Sequence, residues 1–454
     1  MTEQRTVTVL GAGLAGCLMT ILLARRGVKV RLLERRPDLR KHRLSAGRSI
    51  NLALADRGIH ALKSAGVYAE VEPLLITMPG RCLHDLNGGT QFVRYGQREH
   101  EVIYSVSRPG LNAVLLNHAE QLPGVELQFG VECISLDFSQ QRLTVRDHDS
   151  SRSSTVNFER LIAADGVNSI ARQTLLKTAQ GNATTEMLTH GYKELTLPAD
   201  TNGQHQMERQ ALHIWPRGGF MLIALPNLDG SFTVTLFLPF DSSPENPHSF
   251  ASLHDAIGIE RFFQQYFADA LALMPNLARE FLEHPTGKMN TVRSSRWANA
   301  NAALIGDAAH AIVPFHGQGM NCAFEDCLEL DMLLQQHPFS IAGEKFERSR
   351  KPNANAIADM ALENYIEMRD TVRHPKFLLQ KQLAFELERR FPQRFVPRYS
   401  MVMFHHEIPY AQAYERGRIQ VQILDSLSRD HTELGQIDWQ AAATLVETQL
   451  APLE

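Results

Sequence analysis

The sequence has few cysteines and no excess of basic residues, and each of these properties excludes a class of protein. Five cysteines in 454 residues, odd in number and scattered, argue against a disulfide framework. Cys322 and Cys327 have the C-x-x-x-x-C spacing of some redox pairs. Residues five apart on a helix lie on different faces, however, so buried core thiols are the better interpretation. The formal net charge of −4, without runs of like charge, predicts no nucleic-acid partner.

Long apolar runs and metal motifs are also missing from the sequence. A membrane span needs about 18 apolar residues, but the best candidate, 302–313, is interrupted by Asp307 and His310. The N-terminus lacks the basic region of a secretory signal, and the C-terminus carries no hydrophobic anchor. We therefore expect a cytoplasmic protein without a membrane anchor. No metal is predicted, because His405-His406-Glu407 lacks the second histidine of H-E-x-x-H and no cysteine/histidine set has zinc spacing.

The chain opens with the pattern of a dinucleotide-binding unit. Its parts are a strand, a glycine loop, a helix and a second strand: 6–10, Gly11-x-Gly13-x-x-Gly16, 14–26 and 28–33. The glycines permit a tight turn and a close approach to a pyrophosphate, which the free N–H groups of the helix start, at Leu14 and Ala15, would face. Glu34 ends the second strand, where an acid commonly binds ribose hydroxyls. Arg35 follows and could flank the adenosine or be a solvated residue.

Two more glycine motifs follow at wide spacing. Asp165-Gly166, with Ser169 and Arg172, comes directly after a short buried strand at 161–164. Gly306-Asp307 follows a second such strand and leads to a loop and helix start that contain Pro314, Gly317, Gly319, Met320 and Asn321. A carboxylate at a strand end can accept hydrogen bonds from the ribityl hydroxyls of a flavin, and helix N–H groups can stabilise its reduced ring. The three motifs together predict FAD.

The remaining pattern predicts an α/β protein with an insertion. We expect a discontinuous Rossmann-like FAD-binding domain, an inserted antiparallel-sheet substrate domain and a C-terminal helical segment. The expected bounds are 1–75 with 100–180 and 288–335, then 76–99 with 181–287, and finally 336–454. A hairpin is predicted around the polar loop 147–154, and prolines such as Pro352 are expected to punctuate the helices.

The three motifs, in this order, resemble those of the single-component FAD-dependent aromatic hydroxylases, over residues 5–330. In that family the motif at Asp165 is associated with both FAD and NAD(P)H, which would explain why one dinucleotide fold serves both nucleotides. Arg108 matches an arginine that contacts FAD. The resemblance therefore implies FAD as cofactor and NADPH as co-substrate.

Further segments resemble the kynurenine 3-monooxygenase branch of that family, in its soluble bacterial type, over nearly the whole chain. They are Gly47–Leu54, His190–Leu195, Ala211–Pro216, Pro314–Asn321, Ala361–Tyr365 and Arg398–Met401. The resemblance implies tryptophan catabolism: L-kynurenine is hydroxylated ortho to its aromatic amine, giving 3-hydroxy-L-kynurenine, through a flavin hydroperoxide formed with O₂. Arg81 and Tyr95 match residues that bind the carboxylate of the substrate tail, and Asn364 and Tyr399 match two further substrate contacts.

Alternatives remain open at this level. Because the flavin would carry the chemistry, we predict no catalytic acid or base on the protein, and His310 and His316 have structural hydrogen bonding as their simpler role. Another ring could be the substrate, although Arg81 favours a carboxylate, to which a guanidinium offers a bidentate fork. A non-catalytic binder on this fold is the rival of a different class. The oligomeric state is left open, with a homodimer among the options.

Overall fold

The computed structural model describes residues 6–41, 51–244, 246–371 and 375–453, so the first four residues of the Gly47–Leu54 motif lie outside the described ranges. The strands are β1 (Thr6–Leu10), β2 (Lys29–Glu34), β3 (Asn51–Leu54), β4 (Ile76–Met78), β5 (Gly80–His84), β6 (Thr90–Arg94), β7 (Ile103–Ser107), β8 (Val125–Phe129), β9 (Val131–Asp137), β10 (Arg142–Asp147), β11 (Ser153–Asn157), β12 (Arg160–Ala163), β13 (Ala183–Leu197), β14 (Ala211–Pro216), β15 (Met221–Pro226), β16 (Phe232–Pro239), β17 (Gly287–Ser294) and β18 (Ala302–Leu304). The α-helices are α1 (Leu14–Arg25), α2 (Asp56–Ser64), α3 (Tyr68–Val71), α4 (Arg108–Gln121), α5 (Ile170–Thr178), α6 (Ala256–Tyr266), α7 (Ala268–Leu271), α8 (Leu277–Glu283), α9 (Gly319–Gln336), α10 (Phe339–Arg369), α11 (Pro375–Arg390), α12 (Arg398–Phe404), α13 (Tyr410–Ser428) and α14 (Trp439–Gln449).

The chain divides into two compact units, and each unit is assembled from three segments. The first unit consists of Met1–Leu75, Ser105–Leu188 and Lys288–Ala358. The second consists of Ile76–Tyr104, Thr189–Gly287 and Asp359–Glu454. The second unit thus combines the β-rich insertion with most of the C-terminal helices.

A parallel sheet in the order β18-β12-β1-β2-β8 forms the centre of the first unit. Helix α1 packs beside this sheet between α4 and α9, and it is buried over nearly its whole length. The register pairs Leu10 with Ala163 and Ala163 with Leu304, so β1, β12 and β18 end level with one another. Each of the three glycine motifs therefore starts at the same edge of the sheet, where ligands of such folds bind. The predicted hairpin is confirmed as β10 and β11.

The second unit contains strands in the order β13-β16-β15-β14-β5-β6, with 189–197 as the part of β13 that belongs to it. All neighbours are antiparallel except β14 and β5. Helices α6 and α8 supply Phe263 and Phe281, and the residue between α6 and α7 supplies Phe267, to a core that also buries Trp215 and Phe232. A separate core lies among α11, α13 and α14, around Leu387 and Ile423.

None of the helices in the described ranges is both long and apolar enough to cross a membrane. The cytoplasmic location that we expected from the sequence stays a prediction.

A buried group of charges lies at the start of α9 in the first unit. Arg350 donates from Nε to Asp326 Oδ1 over 2.8 Å and from Nη2 to Glu325 Oε2 over 3.0 Å. The other oxygen of Asp326 accepts hydrogen bonds from His310 Nε2 and, over 3.0 Å, from the N–H of Gly306. Burial alone would raise the pKa of Asp326, but His310 and Arg350 outweigh burial and hold that pKa below its ordinary value.

We predict that Arg350→Met lowers the free energy of unfolding by about 3–5 kcal/mol, because it leaves the buried Asp326 carboxylate without its charge partner. Urea denaturation followed by circular dichroism measures the change. Arg348→Met is the matched control, since Arg348 is exposed two residues earlier on the same helix and should change stability by less than about 0.5 kcal/mol. Equal stability of the two variants would contradict the prediction.

Candidate cofactor and substrate sites

The glycine loop between β1 and α1 contains two kinds of glycine. A Cβ placed on Gly16 would lie 1.9 Å from Gly11 O, and one on Gly11, whose φ is +92°, would lie 2.4 Å from Ala164 O. These two glycines are therefore required by the protein's own packing. A Cβ on Gly13 would meet no atom within 4 Å. The space beside Gly13 fits a pyrophosphate that approaches the backbone at the start of a helix.

Glu34 lies beside this loop at the end of β2. Its Oε2 accepts a hydrogen bond from the N–H of Ala12 over 2.8 Å, and its Oε1 accepts one from the N–H of Arg36 over 2.9 Å. The half-buried carboxylate is thus fixed in place with acceptor capacity left for ribose hydroxyls. Arg35 and Arg108 have exposed side chains. Their contact with the cofactor stays a prediction.

The second and third motifs are joined by Arg172. Its Nη1 donates to Ala308 O over 2.9 Å and to Asp307 O over 3.3 Å, which ties α5 to the turn at Gly306–Ala308. The Asp307 side chain is exposed. Burial raises the pKa of Asp165, and its Oδ1 has no hydrogen-bond partner in the described part of the chain. Such an acceptor fits a ligand hydroxyl, since buried polar atoms are rarely left unpaired.

The loop before α9 is shaped by its own hydrogen bonds. Pro314 begins a short 3₁₀ turn that ends at Gly317, which has a left-handed φ of +64°. Asn321 donates from Nδ2 to Ala53 O over 2.9 Å and to Gly317 O over 2.8 Å, and its Oδ1 accepts from the N–H of Ala55 over 3.0 Å. Asn321 therefore holds the loop, and its side chain already makes three hydrogen bonds within the protein.

The space at this helix start also fits a flavin. A Cβ on Gly319, the first residue of α9, would meet nothing within 4 Å, so the N–H groups of this end can be approached closely. Met320 is buried behind it. Cys322 and Cys327 are free, buried thiols, as expected. Burial raises the pKa of both thiols well above the ordinary value, which opposes redox chemistry there.

The four predicted substrate residues all belong to the second unit. Arg81 on β5, Tyr95 after β6 and Asn364 on α10 are buried, while Tyr399 on α12 is partly buried. The rings of Tyr95 and Tyr399 are stacked, with centroids 5.3 Å apart and planes 15° apart. The positive charge of Arg81 lowers the pKa of both tyrosines, so its guanidinium lies close to them. The structure thus brings Arg81, Tyr95 and Tyr399 together.

Arg81 has an unused donor in this cluster. Its Nε is buried without a hydrogen-bond partner among the described residues, whereas the buried hydroxyl of Tyr95 interacts with that of Tyr399. Burial raises the pKa of Tyr95, and Arg81 offsets only part of that rise, so the phenol stays protonated as a donor. A guanidinium and a phenol that both offer N–H or O–H groups form a site for an anion, and a carboxylate suits it.

Two charged residues of this cluster were missed by the sequence analysis. Glu367 Oε1 lies 3.5 Å from Arg81 Nη2, and it follows Asn364 by one helical turn on the same face of α10. Lys381 lies on α11, and its Nζ donates to Arg94 O over 2.8 Å. Burial, and then the charge of Arg81, lower the pKa of Lys381 from 10.5 to about 7. The helical spacing from Asn364 was the one available signal for Glu367, and Lys381 had none.

A glycine pair provides a test of the cofactor site. We predict that Gly13→Ala leaves the free energy of unfolding of the cofactor-free protein within about 1 kcal/mol and reduces FAD affinity at least about ten-fold, because the methyl group enters the ligand space alone. Gly16→Ala should instead destabilise the protein itself, since its Cβ would overlap Gly11 O. Flavin absorbance after reconstitution and urea unfolding of the apoprotein separate the effects. Full FAD content in Gly13→Ala would contradict this placement.

The low pKa of Lys381 predicts a pH effect on stability. Between about pH 7 and 10.5 the unfolded chain binds a proton at Lys381 that the folded chain does not, so stability rises with pH across that window. We expect Lys381→Met to stabilise the protein more at pH 7 than at pH 10. Partial solvent screening of Lys381 reduces the size of this difference. Lys376→Met, exposed on the same helix, is the control. Urea unfolding at both pH values measures the difference, and an equal effect at both would refute it.

The fold is similar to those of two solved structures. The structure of 2-methyl-3-hydroxypyridine-5-carboxylic acid oxygenase has a TM-score of 0.63 at 21% identity, covering 82% of this chain and 95% of that one. The structure of P. aeruginosa PqsL in complex with 2-aminobenzoylacetate has a TM-score of 0.65 at 18% identity, covering 81% and 98%. At these identities the likeness concerns the fold alone, and it confirms the expected α/β aromatic-hydroxylase fold with a helical C-terminal part.

Sequence relatives identify the family. The family described as an FAD binding domain matches residues 4–344. A kynurenine 3-monooxygenase of Myxococcus xanthus is 47% identical over 456 residues, covering 100% of this chain and 97% of the relative. Another, of Stenotrophomonas maltophilia, is 46% identical and covers 99% of this chain and 98% of the relative. The chain therefore belongs to the kynurenine 3-monooxygenases, a family of FAD-dependent monooxygenases.

Proposed function

We propose that this protein uses NADPH and O₂ to hydroxylate L-kynurenine ortho to its aromatic amine, producing 3-hydroxy-L-kynurenine. The observation that carries the proposal is the cluster of Arg81, Tyr95 and Tyr399, in which the buried Arg81 guanidinium keeps an unused Nε donor beside two stacked phenols. L-Kynurenine supplies what such a cluster requires: a carboxylate on a tail, attached to an electron-rich aniline. Full-length relatives at 46–47% identity that are named for this reaction support the assignment.

The first unit provides the groups that would hold FAD, whose chemistry is to pass electrons from NADPH to O₂ and so activate it for ring hydroxylation. The loop at Gly13 would bind the pyrophosphate, and Glu34 would accept hydrogen bonds from the ribose hydroxyls. Asp307 would accept hydrogen bonds from the ribityl chain. The N–H groups at Gly319 would face the negative charge of a reduced flavin ring.

The second unit provides substrate binding. Arg81 would pair with the tail carboxylate through two parallel N–H groups, and Tyr95 and Tyr399 would add phenolic donors. Because the carbon ortho to an aromatic amine is already nucleophilic, the protein's task is to orient the ring and exclude water. Neither His310, which is bonded to Asp326, nor any other described side chain is required to act as acid or base in this scheme.

We predict that Arg81→Met raises the Kd for L-kynurenine about 10- to 100-fold, since hydrogen bonds to charged groups contribute about 1.5–3 kcal/mol. FAD content should stay normal, because Arg81 belongs to the second unit and the glycine motifs to the first. Isothermal titration of the holoenzyme gives the Kd, and the absorbance spectrum gives the flavin content. Arg209→Met, at an exposed arginine before β14, is the control. A variant that binds L-kynurenine normally would remove Arg81 from the site.

The reaction itself is tested by mass spectrometry after aerobic incubation of the holoenzyme with NADPH and L-kynurenine. The expected product is heavier by one oxygen atom, and its retention should match that of 3-hydroxy-L-kynurenine. Hydroxylation of a carboxylate-free aromatic amine in preference to L-kynurenine would favour the alternative of a related hydroxylase. A protein that binds FAD but consumes no NADPH with any such ring would overturn the proposal.

A further inference from the structure

The ion pair at Arg81 is incomplete. Glu367 Oε1 and Arg81 Nη2 are 3.5 Å apart, which is too long for a strong charge-assisted hydrogen bond. The Glu367 side chain is 30% exposed, whereas that of Arg81 is 8% exposed. A carboxylate that served only to neutralise the buried guanidinium would be expected to lie against it in the bidentate geometry of such pairs. Glu367 is instead placed beside Arg81 with accessible surface of its own.

The charges around this pair are balanced. The ionisable neighbours that act on one another here are Arg81, Glu367, Lys381, Tyr95 and Tyr399. The two phenols are neutral at pH 8 because burial raises the pKa of each. The pKa of Lys381 is about 7, so above that pH most Lys381 side chains are neutral. At pH 8 the cluster then carries one positive and one negative charge, side by side.

We propose that Glu367 binds the α-ammonium group of the substrate tail, so that Arg81 and Glu367 together select a zwitterionic α-amino acid. The inference rests on the proposed function and adds a recognition element to it. In an α-amino acid the ammonium nitrogen and the carboxylate are attached to one carbon, so the groups that bind them must be neighbours. Arg81 and Glu367 meet that condition, and each presents the charge opposite to one of the two ligand groups.

The arrangement also predicts which ligands are rejected. A substrate with a carboxylate and no ammonium would satisfy Arg81 but would bring a second negative charge close to Glu367 without compensation. An amine without a carboxylate would leave the buried Arg81 guanidinium with only its 3.5 Å contact to Glu367. Discrimination against the first kind of ligand therefore depends on Glu367, and discrimination against the second depends on Arg81.

The test compares L-kynurenine with its desamino analogue, 4-(2-aminophenyl)-4-oxobutanoate, by isothermal titration of the holoenzyme at pH 8. The wild-type protein should bind L-kynurenine at least about ten-fold more tightly, a difference of about 1.4 kcal/mol. Glu367→Gln should lose most of this preference: its Kd for L-kynurenine rises about ten-fold, while its Kd for the analogue stays within two-fold or falls. Glu363→Gln, one turn earlier on α10 and 44% exposed, should keep the wild-type preference.

The outcomes separate this inference from the proposed function. An equal loss of affinity for both ligands in Glu367→Gln would mean that Glu367 only holds Arg81 in place, and it would overturn the inference. Unchanged binding of both ligands would overturn it as well. If the wild-type holoenzyme binds neither ligand, the proposed function itself has failed. A wild-type protein that binds both equally would leave the function standing and refute selection by Glu367.

Discussion

The cofactor site depends on the parallel pairing of three strands that are far apart in the sequence. Leu10, Ala163 and Leu304 are level in the sheet, so the turns after β1, β12 and β18 open at one edge. Parallel strands cannot be joined by short hairpins, so the segments between them must leave the sheet and return. The second unit is built from such departing segments and from the C-terminal helices. A one-residue slip in this register would separate the three motifs and turn their side chains to the wrong face.

The candidate sites contain two of the buried polar atoms that lack partners in the described part of the chain. In the structural network, both oxygens of Asp326 are used and Asn321 makes three hydrogen bonds. In the candidate sites, Asp165 Oδ1 and Arg81 Nε are buried without partners. A buried unpaired polar atom costs stability, about 1–3 kcal/mol. A ligand that supplies the missing partner recovers that free energy, so Asp165 Oδ1 and Arg81 Nε, which lie at the candidate sites, are available for ligand contacts.

The elements whose residues have one dominant local role could be predicted from the sequence. Gly11 and Gly16 are fixed by backbone contacts that only glycine tolerates, so their pattern identified the loop and its helix. Pro352 was expected to interrupt a helix, yet it lies inside α10, where tertiary packing outweighs local propensity. The helices α6 to α8 were missed because they are short and depend on aromatic packing against the sheet. Glu367 and Lys381 could not be assigned either, since their roles arise from neighbours on other elements. The roles of the predicted site residues, among them Arg35, Arg108 and Asn364, stay predictions.

The hydrogen bond from the N–H of Gly306 to Asp326 helps the folded protein to retain its flavin. The turn that presents Asp307 is anchored to a carboxylate that remains ionised in mild acid, because its pKa lies below the ordinary value. Mild acidification therefore leaves this anchor in place, and the yellow colour should persist until the surrounding packing itself gives way. Substitutions at Asp326 or Arg350 would therefore lower the flavin content of the purified protein, although neither residue is expected to contact the cofactor.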